Sequence, residues 1–276
     1  MRLVELSDHP GRMLRDIQQQ RLADAHRDQA EFAAARARHE ARLDQARADR
    51  DEALARHRWW AWIRAVFALW ARRRHAPRMT AAASGPTDRE ESIAAGIAGE
   101  QLVANELSQV LGDEWVLFHG YRNRRGEIDH LLLGPGGLFA IEVKHRNATV
   151  YVDGDDWRYE KFDQWGNLVD QGSIEDRTGR SPSVQVNESA DELERFLGSR
   201  GQEVSITRIV ILNHPRSRVG GQRDLTVRVG TSTAYVAGLV NASLAEWPDS
   251  RRGQLERLIE RDHHFHAARR PPRRDR

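Results

Sequence analysis

Large apolar residues are sparse over the first 57 positions and then arrive together. From Arg12 to His57 the chain is mostly Ala, Arg, Asp, Glu and Gln, without Pro or Gly, a composition that favours helix. Pairs four residues apart, Arg27/Glu31, Arg36/Glu40, Arg47/Asp51 and Glu52/Arg56, support it. The apolar positions Phe32, Leu43 and Leu54 recur every eleven residues. That period suits either a long solvated helix with weak self-association or a right-handed coiled coil, and with it a homo-oligomer. Trp59 to Ala71 follows as a dense apolar run. As a helix it extends about 20 Å, short of the ~30 Å hydrocarbon core, and Arg64 interrupts it, so it does not read as a span. At 100° per residue, Trp59, Trp60, Trp62, Ile63, Val66, Phe67, Leu69 and Trp70 fill one half of the wheel. Such a helix either lies in a membrane surface or docks on protein, its own body or a second copy.

Thr80 to Thr87 (Thr-Ala-Ala-Ala-Ser-Gly-Pro-Thr) reads as a small-residue linker. It divides an N-terminal helical region, 1–79, from a globular domain, 88–265, with a basic tail at 266–276. Asp88 to Leu111 reads as an amphipathic helix, with Gly96 and Gly99 marking a close approach by another backbone and Glu100 beside them. Trp115 to Tyr121 is a strand, and two further apolar runs, Glu127 to Leu133 and Leu138 to Lys144, flank Gly134-Pro135-Gly136-Gly137 as a hairpin. Short strands at Thr149–Val152 and Trp157–Phe162 precede a polar loop from about Asp170 to Pro182. A helix at Val184–Leu197, strands at Ile206–Leu212 and Leu225–Val229, and helices at Ser232–Val240 and Ser250–Asp262 complete the domain. That order predicts an α/β fold, a central mixed sheet flanked by helices.

The hairpin carries the candidate chemistry. Alternation puts Asp129 on the face opposite Ile128, and Glu142 with Lys144 on one face while Ile141 and Val143 point into the layer behind. The hairpin register then brings Asp129, Glu142 and Lys144 to one end of the sheet. Two carboxylates and an ammonium on apolar strands are costly to bury unpartnered, and a divalent cation offsets that cost. Taken singly, Glu142 and Lys144 also suit a surface ion pair, and Asp129 a turn cap. His130 and His145 read as core or rim residues, and His263, His264 and His266 as solvated.

The ordered set of Gly99-Glu100, Glu127-Ile128-Asp129-His130, Gly134-Pro135-Gly136-Gly137-Leu138-Phe139, Ile141-Glu142-Val143-Lys144 and Pro182-Ser183-Val184-Gln185 resembles the PD-(D/E)XK nucleases, and more closely the nuclease-related domain (NERD) family. The resemblance covers Glu90 to Leu212 and implies a restriction-endonuclease-like sheet and Mg²⁺- or Mn²⁺-dependent hydrolysis of phosphodiester bonds in DNA. It implies Asp129, Glu142 and Glu100 as metal ligands, Lys144 as the group that positions the attacking water, and Gln185 as an orienting residue. The alternative is a nuclease-fold module that binds nucleic acid or a partner without cleaving.

Composition narrows this further. The 43 basic and 41 acidic residues leave a net charge of +2, yet arginines concentrate at Arg72-Arg73-Arg74 and in the tail Arg269 to Arg274. Such local patches suit phosphate polymers or anionic lipid. No cysteine is present, which excludes disulfides and thiolate metal sites. The N-terminus lacks a signal-peptide pattern, and a cytoplasmic protein, peripheral at a membrane if the Trp-rich helix binds one, is expected.

Overall fold

The computed structural model describes residues 1–74 and 85–268. Most of the expected linker (80–84) and the tail from Arg269 onward lie outside the described residues. The chain forms two compact units, Met13–Glu91 on one side and Met1–Arg12 with the chain from Ser92 onward on the other.

The larger unit is mixed α/β with a central mixed sheet flanked by helices, as expected, and a second, smaller sheet beside it. The main sheet has six strands in the order β1-β2-β3-β4-β8-β10. They are β1 (Arg2–Glu5), β2 (Val116–Arg122), β3 (Glu127–Gly134), β4 (Gly137–Lys144), β8 (Ile206–Leu212) and β10 (Arg228–Gly230). The β2-β3-β4 meander is antiparallel, while β1 joins β2, and β8 joins β4 and β10, in parallel. A second sheet runs β7-β6-β5-β9 from β5 (Thr149–Asp153), β6 (Asp156–Phe162), β7 (Leu168–Ser173) and β9 (Arg218–Arg223). β7 occupies the start of the expected polar loop, and β10 is shorter and later than the expected strand at 225–229, whose Leu225 is exposed. β1, β7 and β9 are short and polar (Arg-Leu-Val-Glu, Leu-Val-Asp-Gln-Gly-Ser, Arg-Val-Gly-Gly-Gln-Arg) and carry no apolar run to announce them.

Helices cover both faces of the main sheet. α4 (Pro182–Gly198) and α6 (Asp249–Ala268) share one core with Leu131, Leu133, Leu138, Val210 and Leu212. α3 (Asp88–Val110) and α5 (Thr233–Asn241) share the other with Leu132, Phe139, Ile141, Val143, Ile209 and Ile211. Each fully buried Leu or Ile contributes about 1.5–3 kcal/mol. The second sheet joins the first core through Val150, Val152 and Trp157, whose indole donates to Ser183 Oγ at 3.0 Å. α6 runs farther than expected, and His263 is buried rather than solvated, its Nδ1 accepting from the Arg122 amide at 3.1 Å.

The period of two fails at one place that matters. Ile128 packs in the same core as Leu131 and Leu133, although strict alternation assigns it to the other face. The β2-β3 register runs His119↔His130 and Tyr121↔Ile128, which leaves Gly120 opposite Asp129. Gly120 has φ +69°, and a Cβ there would collide with the Ser7 carbonyl.

The smaller unit is helical. α1 (His9–Ala55, with its first residues in the larger unit) turns at residues 56–58, where His57 has φ +48°, into α2 (Trp59–Arg74). α2 folds back along α1, Arg72 donating to the Arg42 carbonyl at 3.3 Å. The shielded stripe of α1 runs Phe32, Ala35, His39, Leu43, Ala46, Arg50 and Ala53, a three-four alternation, and Leu54 stands outside it, exposed. The eleven-residue stripe expected from Phe32, Leu43 and Leu54 therefore gives way to a near-heptad one.

Candidate active site

β3 and β4 pair from Gly134↔Gly137 to His130↔Ile141, and the site lies where that ladder stops. In place of the next rung, the Val143 amide donates to Asp129 Oδ2 at 2.7 Å. Glu142, 4% exposed, accepts from Lys144 Nζ at 2.6 Å through Oε1. Glu142 and Lys144 thus share a face, with Ile141 and Val143 packed in the core behind them. Gln185 lies in the first turn of α4, which Ser181 caps by accepting from the Val184 amide. Its Nε2 donates to the Arg180 carbonyl at 2.8 Å, which turns Oε1 to within 3.5 Å of Lys144 Nζ. Glu100 reaches the cluster from α3. Asp129, Glu142, Lys144 and the Gln185 amide therefore stand together, with Glu100 close enough for its charge to be felt.

The electrostatics are those of an acid-rich pocket. Burial, then repulsion from Asp129, Glu142 and Glu127, raises Glu100 to about 9. Burial, then Asp129, raises Glu142 to about 7, with Lys144 and Arg180 working against them. Burial raises Asp129 to about 6, although Lys144 and the Val143 amide pull down. Burial would lower Lys144, but Glu142 and Asp129 outweigh it and the amine is raised, so it is an ammonium at neutral pH. Glu127 lies 3.7 Å from the Arg122 guanidinium.

Several side chains around Glu100 carry no motif signature. His130 is fully buried, and burial, then His119, holds it down to about 3, so it is neutral. Its Nε2 donates to the Glu100 carbonyl at 3.1 Å, which leaves Nδ1 to accept from His119 Nδ1 at 3.3 Å. His119 Nε2 faces Glu100 Oε2 at 3.7 Å and Glu5 Oε1 at 3.8 Å. One residue earlier in α3, the Gly99 carbonyl accepts from Asn213 Nδ2 at 2.6 Å, while Asn213 Oδ1 meets His145 Nδ1 at 2.9 Å. Two consecutive carbonyls of α3 are thus tied to the sheet. A Cβ on Gly99 would stand 2.8 Å from His145 Cβ and 3.1 Å from Asn213 Oδ1, so α3 comes close there, against side chains rather than backbone. Gly96 has nothing within 4 Å of a Cβ and marks no close approach. His119 and Asn213 come into the site through strand pairing and a strand end, which spacing along the sequence does not reveal.

The donors suit a hard divalent cation. All are oxygens, Glu142 buried and Asp129 and Glu100 half-buried, they repel one another, and Asp129 Oδ1 and Glu142 Oε2 have no hydrogen-bond partner among the described residues. Among the described residues no three Asp, Glu or His side chains stand grouped as ligands of one ion as placed, since Glu100 is turned to His119.

A mixed sheet flanked by helices, with Asp129 at the break of a hairpin and Glu142-Val143-Lys144 on the adjoining strand, defines a PD-(D/E)XK-like domain. Residues 95–213 match the family model of the nuclease-related domain, NERD, and the chain carries such a domain there. Searches of curated proteins and of solved structures returned no match. A domain of this kind is nuclease-related, which implies nucleic acid in general, and such domains generally use divalent metals.

Proposed function

We propose that the chain is a metal-dependent nuclease that hydrolyses phosphodiester bonds in DNA. The observation that supports this reading is the meeting of Asp129, Glu142 and Lys144 at the end of the β3-β4 ladder, with Glu100 and Gln185 supplied by separate helices. Asp129, Glu142 and Glu100 would hold Mg²⁺ or Mn²⁺, which would supply Lewis-acid polarisation of the phosphate and a template for the attacking water. The protein's own groups have separable tasks. Lys144, kept as an ammonium, donates rather than accepts: it orients the water oxygen or balances charge gathering on the phosphate oxygens. Gln185, anchored on the Arg180 carbonyl, fixes the direction of Lys144. Water adds to phosphorus, the P–O ester bond breaks, and the leaving oxygen is protonated.

The test is cleavage of supercoiled and linear DNA by the full chain with Mg²⁺ or Mn²⁺, beside Glu142→Ala and Lys144→Ala. Cleavage by the wild type alone supports the reading, and equal cleavage by all three proteins discards it. Salt-dependent DNA binding with no cleavage under either metal selects the non-cleaving module instead.

A further inference from the structure

α2 exposes an unusual surface. Trp59 (63% exposed), Trp60 (83%), Phe67 (68%) and Trp70 (54%), with Ile63 and Val66 between them, form one unbroken stripe along the helix. The other side is the shielded one: Leu69 is buried, and Ala61, Ala65 and Ala68 are half-buried. The aromatic face is thus the one not used in the helical hairpin. Soluble proteins rarely leave a contiguous apolar patch of this kind open, and such a patch marks an interaction surface.

We propose that this face seats on an anionic membrane surface, with α2 lying in the plane of the interface. Charge identifies the occupant. From Ala53 to Thr87 the sequence contains seven arginines and no Asp or Glu, whereas the rest of the chain is net acidic. Arg58 precedes the stripe and Arg72 to Arg74 follow it, so cations flank the aromatic residues at both ends. Arg74 stacks on the Trp70 ring at 3.7 Å. Indole rings settle at headgroup depth, and guanidinium groups pair with lipid phosphates there. An apolar protein partner gives no use to so many arginines, of which Arg56 alone is ion-paired among the described residues, and nucleic acid gives none to an unbroken apolar stripe. The helix has 16 residues, and among the described residues no helix is long and apolar enough to cross a bilayer, so α2 lies on it instead.

The experiment is flotation of the full chain with vesicles of phosphatidylcholine and phosphatidylglycerol (7:3), beside pure phosphatidylcholine vesicles. Binding to the anionic vesicles is expected, reduced by about tenfold or more on neutral vesicles and weakened by salt. Replacing Trp59, Trp60, Phe67 and Trp70 together by Ser should abolish it without changing DNA cleavage. Arg58→Gln and Arg64→Gln, which leave the aromatic stripe intact, should each weaken it by about fivefold. No flotation of the wild type, or equal flotation of the Ser variant, overturns the proposal. So does a wild-type dimer in light scattering that the Ser variant turns into a monomer while neither floats, which gives the face to a second copy. DNA retention lost in the Ser variant, again without flotation, gives it to nucleic acid.

Discussion

Among the described residues Lys144 is the only cation in direct contact with Glu142, and the two hold each other in opposite ways: the carboxylates keep the amine charged, and the amine keeps Glu142 from rising further. Removing either should therefore disturb more than one step. Under the proposed function, Glu142→Ala and Lys144→Ala each lower DNA cleavage by about a hundredfold or more, measured as initial rates at saturating metal. Gln185→Ala, which frees Lys144 without removing it, should cost less, about tenfold. The raised carboxyls also give a pH signature. Glu142 and Glu100 hold protons in the folded state to about 7 and 9, whereas the unfolded chain releases them near 4.5. The folded state binds more protons across that window, so these groups lose stability as pH rises through it. Neutral His130 acts oppositely, but only below about 6.5. In metal-free protein the melting temperature should fall between pH 7 and 9, and Glu100→Gln should flatten that fall. Identical slopes in wild type and variant would show that Glu100 does not titrate there. At this scale the motif residues were legible in the sequence because Glu142 and Lys144 obey strand alternation. The placement of Ile128 in the same core as Leu131 and Leu133 was not, since it departs from the period of two opposite Gly120 in another strand.

A helix is positioned by what meets it, and α3 shows this at both of its glycines. Gly99→Ala forces His145 or Asn213 to move and should destabilise by about 1–3 kcal/mol. Gly96→Ala meets nothing and should stabilise by up to about 1 kcal/mol through helix propensity. Thermal melts of the two variants, shifted in opposite directions, check both statements at once. The N-terminus of α3 is a capping box, the Glu90 amide donating to Thr87 Oγ1 at 3.2 Å and the Thr87 amide to Glu90 Oε2 at 2.7 Å. Elements with a long apolar period, such as α3, β3, β4, β8 and α4, could be read from sequence to within a residue or two. The short polar strands β1 and β9 could not, because their place is set by the partner strand's free edge and not by their own pattern.

In the whole molecule, the helical unit is an excursion between the first strand of the main sheet and the rest of its domain. β1 lies along β2 with Leu3 opposite Leu117, and Val4 and Leu6 pack against the core on the α4 side. A fragment beginning at Asp88 leaves β2 as an open edge and uncovers that part of the core. It should melt lower than the full chain, and adding a peptide of residues 1–12 should recover part of the loss. Equal melting temperatures with and without the first strand would mean that β1 contributes nothing to the sheet.

The same parallel pairing has a consequence for severed molecules. A protease that nicks the chain between α1 and α3 separates the polypeptide into two pieces but does not break the ladder between β1 and β2, whose residues lie on either side of the cut. The pieces should therefore co-elute in native chromatography and part only in denaturant, a split protein held in part by the four-residue strand β1 along β2 and by the Arg2–Glu256 ion pair beside it.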